Sequence, residues 1–271
     1  MSASVVLASE CPPGDPGYCA PSVLEFFPKP FVTFDFLGVH FAITRITVIL
    51  WLASALMVFF FIRATRNPKL VPGRLQYFGE SAYSFVRDGV SREVIGSDGL
   101  RFAPYLASLF FFIAINNVMG IIPFAQISPM GRFAFPVVLA LITYVLFNYI
   151  GIRSQGLMPY LKGNLFPPGV PKPLYLLVTP IEFASTFIFR PFTLAVRLFA
   201  NMLAGHLLLA VFATGTVYLA TVGNFSAIFS PVSFLMTLVM TFFELLIELL
   251  QAYVFVVLTA TFISGAMEAE H

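Results

Sequence analysis

Six ionisable side chains stand within one long apolar tract: Glu182, Arg190, Arg197, His206, Glu244 and Glu248. Arg197 lies in "RPFTLAVRLFANMLAGHLLLAVFATG", residues 190–215, and no Lys or Arg follows it to the end of the chain. An ionisable group at membrane depth costs at least about 2.5–3.5 kcal/mol on insertion scales, so each of the six is a candidate for a counter-charge, a relay or an ion path. A guanidinium keeps its charge, whereas carboxylates and imidazole give and take protons. The chemistry on offer is proton movement past a fixed positive charge. Snorkelling is the competing explanation for Arg197. The seven residues back to Arg190 already span about 10 Å, so snorkelling fails on an upright helix and succeeds only on one lying flat near a surface. Arg190, beside Pro191, suits snorkelling better.

Helical phase sorts the polar groups. At about 100° per residue, Asn201 falls about 40° from Arg197, and Glu182 about 60° from it, some 22 Å back along the axis. His206 points about 180° away from Arg197 on a regular helix. Glu244, Glu248 and Gln251 fall within about 60° of one another, a polar stripe on an otherwise apolar helix. Such a stripe serves either interhelical hydrogen bonding, for example a structural His206–Glu244 pair, or an ion and water path. The permanent charge between an acid on one side (Glu182) and a titratable cluster on the other (His206, Glu244) suits two proton inlets separated by an electrostatic barrier.

The elements that must position these groups are membrane helices. Of 271 residues, 59% are hydrophobic and 10% charged, with a mean hydropathy of +0.90. Soluble domains carry roughly 25% charged residues, so this is an integral membrane protein. The net charge of +2 is scattered, which excludes a nucleic-acid partner, since phosphate binding needs a concentrated basic patch. Three segments have spanning length, roughly residues 44–63, 103–125 and 134–152. From 174 to 266 one apolar tract, broken near "TVGNFSAIFSP", predicts two helices of about 40 and 35 residues, long enough to lie strongly tilted. Residues 74–96 mix apolar and charged positions at helical spacing, as in a surface helix. The expectation is an all-α integral membrane protein: five membrane-embedded helices plus one amphipathic surface helix, with no internal repeat.

Arg63, Arg66, Lys69, Arg74, Arg87, Arg92 and Arg101 follow the first crossing, and Arg153, Lys162 and Lys172 follow the third. The other side holds Lys29, Arg45 and Arg132. Positive charge stays cytoplasmic, so the N-terminus is expected outside and the C-terminus inside. Residues 1–42 then form an outward-facing segment, and 43–271 the membrane domain. Cys11 and Cys19 fall in the Pro/Gly-rich stretch "ECPPGDPGYCAPS", where pairing in an oxidising space and two unpaired thiols are both open. The first 20 residues lack a basic n-region and long apolar h-region, so the tail is read as part of the mature chain. His40, His206 and His271 are too scattered for a metal cluster, and no cofactor is expected.

The stretches "RPFTLAVRLFANMLAGHLLL", "ELLIELLQAYVFVVLTATFIS" and "NNVMGIIP" resemble subunit a of the F-type rotary ATP synthase in its bacterial form, over about residues 40–271. The resemblance implies a bacterial plasma-membrane subunit that works with a c-subunit ring, peripheral stalk b subunits and the other ATP synthase subunits, without a nucleotide site of its own. It places Arg197 at the family's essential arginine, facing a ring carboxylate, and Asn201 at the asparagine one turn on. It matches His206 and Glu244 to the outer half-channel pair, found in exchanged order in some members, and Gln251 to the glutamine packed near the arginine. Glu182, with Ser185, resembles the inner half-channel acid, with one more residue before Pro191 than the family's pattern. Glu248 has no counterpart in the motif; its expected place on the proton path rests on the stripe. The outer loop "FAQISPMGRFAFP" offers Arg132 where many members have an acid. A self-contained ion transporter or channel is the alternative, and the repeats that such proteins often show are missing from the sequence.

Overall fold

The computed structural model describes residues 30–36, 39–66, 68–122, 125–166, 174–221 and 225–267. Cys11, Cys19, Lys29, Lys172 and His271 lie outside the described residues, so the expectations on them are not addressed by it. Two strands come first, β1 (Val32–Phe36) and β2 (Val39–Ile43), paired antiparallel with Val32 opposite Ile43. No regular structure was expected there. The cause is local: Val, Thr, Phe and Ile dominate both short runs, and β-branched and aromatic residues favour a pleated pair.

Among the described residues, five helical stretches are long and apolar enough to cross a membrane. They are α1 (Arg45–Thr65); a 3₁₀ turn from Ser97 running into α3 (Ala103–Val118); α4 (Ala134–Gln155); the stretch Tyr175–Thr221; and the stretch Ala227–Met267. Between the first and second lie α2 (Arg74–Val86) and a π-helical continuation, Arg87–Ile95, in the region read as a surface helix. Here Asp88 pairs with Arg87 at 2.8 Å, and the hydrogen bond from that guanidinium holds the exposed carboxyl below its ordinary range. The second crossing ends earlier than expected, at Val118 rather than about residue 125, because "GIIP" opens a turn at Gly120.

The long tract divides as the sequence suggests, with longer pieces. Tyr175–Thr221 spans 47 residues: α6 (Tyr175–Phe183), a π-helical turn (Ala184–Phe189) and α7 (Arg190–Thr221). Pro191 has no N–H for the carbonyl four residues back and its ring crowds that carbonyl, so the turn before it widens. α8 (Ser230–Met267) is 38 residues long and runs antiparallel to α7.

The core lies where α3, α4, α7 and α8 meet. Leu106 and Ile113 of α3, Phe147 of α4, Leu194 and Leu198 of α7, and Phe255, Val256 and Ile263 of α8 are buried in one cluster. Large apolar side chains elsewhere remain exposed, including Phe59, Val145, Leu176 and Phe242. A water-soluble monomer rarely presents so much apolar surface; lipid and neighbouring helices cover it here.

α5 (Leu157–Leu165) folds back on α4 through Gly151. A Cβ added there collides with the ring of Tyr160, which is buried and donates a hydrogen bond to Asn148 Oδ1 at 3.0 Å. Burial also pushes the Tyr160 hydroxyl above its ordinary range, keeping it protonated as a donor. Gly151→Val is expected to destabilise this corner by about 1–3 kcal/mol, the usual penalty for overpacking. The check is the thermal midpoint of the purified protein in its complex, with Gly163→Ala, which has open space around it, as the unperturbed control.

Candidate functional site

Arg197 is near the middle of the Tyr175–Thr221 stretch. Along α7, Leu194, Leu198, Met202 and His206 form the buried stripe, at four-residue steps. Arg197, Asn201, Ala204 and Leu208 form the exposed one. The opposition of Arg197 and His206 expected from helical phase is therefore present: one faces out of the chain and the other into the bundle. Among the described residues Arg197 makes no ion pair and no hydrogen bond.

α8 supplies the acids. Glu244, Glu248 and Gln251 are all buried, at 5%, 3% and 5% exposure. The antiparallel pairing sets their level against α7. Thr216 Oγ1 lies 3.0 Å from Ser233 Oγ, a Cβ at Gly205 comes within 3.0 Å of Glu244 Oε1, and Asn201 Nδ2 donates to Gln251 Oε1 at 2.7 Å. Glu244 thus reaches α7 because residue 205 has no side chain, and Gln251 is tied one turn from Arg197. His206 is buried beside Gly205, while the Glu244 carboxylate accepts no hydrogen bond within the described residues. The two side chains share a seam without a direct hydrogen bond.

A cavity of about 180 Å³ opens between α7 and α8, lined by Asn201, Gly205, Glu244, Glu248 and Gln251, with Asn117 reaching in from α3. That volume has room for several water molecules. Its rim includes the exposed Asn201, Ala204 and Leu208, so it opens on the face that carries Arg197. Buried carboxylates beside space for water, next to an arginine with no ion-pair or hydrogen-bond partner among the described residues, can pass protons to an acid presented from outside.

Glu182 stands apart from this group. It is half-buried on α6, without an ion-pair partner among the described residues, and Ser185 is half-buried in the π-helical turn. Its expected 60° offset from Arg197 assumed a regular helix. A π-helical turn holds about one residue more than an α turn, which rotates everything before it by roughly 100°. That rotation moves the offset from about 60° on one side of Arg197 to about 40° on the other, so the shared face of Glu182 and Arg197 survives the turn.

Sequence reasoning passed over three features. Asn117, in the stretch "NNVMGIIP", donates from its Nδ2 to the Glu248 main-chain oxygen at 3.3 Å. Gly205 gave no signal in sequence. The third is a hydroxyl ladder, Ser230, Ser233, Thr237 and Thr241, leading along α8 to Glu244. Ser230 donates to Thr216 O and Ser233 to Phe212 O, both at 3.2 Å. Its spacing of three and four residues was legible and marks an α7–α8 seam.

The sequence matches the family described as "ATP synthase A chain" over residues 47–264. It is 46% identical to ATP synthase subunit a of Rhodococcus erythropolis, over 93% of this chain and 91% of that one. It is 42% identical to ATP synthase subunit a of a Nocardioides species, over 100% and 99%. Against that of a Parafrankia species the identity is 43%, over 99% and 89%.

Proposed function

This chain belongs to the ATP synthase A chain family, and we propose that it is the proton-conducting stator subunit of a rotary ATP synthase, offering two half-channels to the carboxylates of a c-subunit ring. The observation that carries this reading is the exposed Arg197, without an ion pair or hydrogen bond among the described residues, on the same face as the mouth of the acidic cavity. A permanent charge on an apolar exterior needs a counter-charge, and the described residues of its own chain supply none.

In this mechanism a ring carboxylate crosses lipid protonated and neutral, because an ionised one is costly to bury without a partner. Arg197 is that partner and favours release of the proton towards the inner half-channel, at Glu182 and Ser185. Asn201 and Gln251, bonded to each other, hold the two helices at the arginine's level. On the outer side His206 and Glu244 hand a proton to the emptied carboxylate, which then leaves Arg197. The guanidinium repels hydronium and blocks a leak between the two paths, so a full ring rotation is the complete route. The transmembrane potential supplies about 2.3 kcal/mol per charge per 100 mV.

The same reading places the chain in a bacterial plasma membrane, N-terminus outside and C-terminus cytoplasmic, beside peripheral stalk b subunits and without a nucleotide site of its own. The alternative, a self-contained transporter or channel, predicts ion movement by this chain alone in liposomes. The expected result is that the chain purifies with a ring of small proteolipids and that vesicles holding it alone take up no protons above background. Uptake by the isolated chain would replace this reading with the alternative.

A further inference from the structure

We infer that Glu248 and Glu244 together form a two-carboxylate proton store at the inner end of the outer half-channel, with Glu248 the member that faces the ring's level. The inference rests on the function just proposed and deepens it at one site.

The motif that identifies the family does not include Glu248, and a buried acid outside a motif is usually explained by a structural bond. The geometry here differs. None of the four carboxylate oxygens of Glu244 and Glu248 has a hydrogen-bond partner within the described residues. The one hydrogen bond to Glu248 from another helix, from Asn117, goes to its main-chain oxygen and leaves the side chain free. Both side chains line the same 180 Å³ cavity.

Two more buried polar atoms face that space without a partner. Asn117 Oδ1 is an acceptor on a side chain that is 1% exposed, and Gln251 Nε2 is a donor. The cavity thus presents an excess of acceptors around room for water. An anion finds little to hold it there, whereas a protonated water or a carboxylic O–H finds acceptors on several sides. Among the described residues lining the cavity, Glu244 is the one other titratable group; α3 contributes Asn117, and α7 contributes Asn201 and apolar residues. Two negative charges in so small a space repel, so a pair that shares a proton is favoured over two ionised carboxylates.

Position gives the pair a direction. Glu244 lies opposite Gly205, and Gln251 opposite Asn201, one turn from Arg197. Glu248 falls between, so a proton moving from Glu244 to Glu248 advances about 6 Å towards the arginine's level. The step is proton transfer alone: Glu248 takes the proton through intervening water, and Glu244 is reprotonated from the outer side. It leaves a filled acid beside the cavity mouth, ready to protonate the next ring carboxylate. It also gives this chain an acid where its outer loop has none.

The test uses the assembled complex in membrane vesicles, with Glu248→Gln, Glu248→Asp and Arg197→Ala. Passive proton conduction through the membrane sector, after removal of the catalytic head, is measured against pH and normalised to assembled complex. Glu248→Gln is expected to lower conduction about tenfold or more and flatten its pH profile, on the scale of a lost proton-transfer group. Glu248→Asp is expected to recover most of the rate. Glu248→Gln conducting at the unmodified rate with an unchanged profile overturns the inference, as does an Asp variant no better than the Gln variant. Arg197→Ala, assayed for ATP-driven pumping before the head is removed, separates the two levels: if it fails to couple while Glu248→Gln conducts normally, the function stands and only the proton store falls.

Discussion

Replacing Arg197 with alanine is expected to abolish ATP-driven proton pumping and proton-driven ATP synthesis, a loss of roughly 100- to 1,000-fold or more, the scale of removing a preorganised charge from a water-poor site. The side chain is exposed on α7, so its removal breaks no hydrogen bond or ion pair within the described residues. The complex should therefore still assemble, and the loss should appear in coupling rather than abundance. Arg197→Lys should fail largely as well, because an ammonium lacks the planar fork and gives up its proton more readily when desolvated. The measurement is acid-quench synthesis and dye-reported pumping in inverted vesicles, with assembled complex quantified alongside. Full coupled activity in either variant would remove the arginine from the mechanism.

The second large effect concerns His206 and Glu244. His206→Glu and Glu244→His, made singly, should each cut pumping on the order of 100-fold, because each puts two groups of one kind on the α7–α8 seam where transfer needs an acid and a base. The exchanged double variant should recover to within about tenfold of the unmodified rate, and the interaction energy from the four rates should be about 0.5–3 kcal/mol. Both residues are buried, so packing changes must be separated from proton transfer; conduction per assembled complex does so. A double variant no better than the worse single variant would show that the two residues do not act as a pair.

How much of this was legible in sequence depended on whether the local chain decides the answer. The opposition of Arg197 and His206 followed from nine positions of regular helix, and α7 is regular there. The stripe of Glu244, Glu248 and Gln251 was legible for the same reason, and the structure buries all three. For Glu182 the helix is not regular across Ala184–Phe189, where it widens into a π turn, but the turn only moves the offset from Arg197 from about 60° on one side to about 40° on the other. The one extra residue before Pro191, noted against the family's pattern, is what such a turn can absorb. The hairpin at 32–43 is too short to register by spanning length, although its β-branched and aromatic residues favour strands.

The sequence by itself determined the membrane class, the number of crossings, the family, and which side chains carry charge in the apolar tract. All of these follow from composition, run length and helical period, which are properties of neighbouring residues. Only the tertiary structure decided that Arg197 faces out of the chain, that Gly205 opens α7 to the Glu244 carboxylate, and that Asn117, 131 positions from Glu248, meets it at one cavity. Those outcomes depend on how α3, α7 and α8 pack, and packing is set by which surfaces fit together. A side chain's partner across a helix interface has no fixed spacing along the chain.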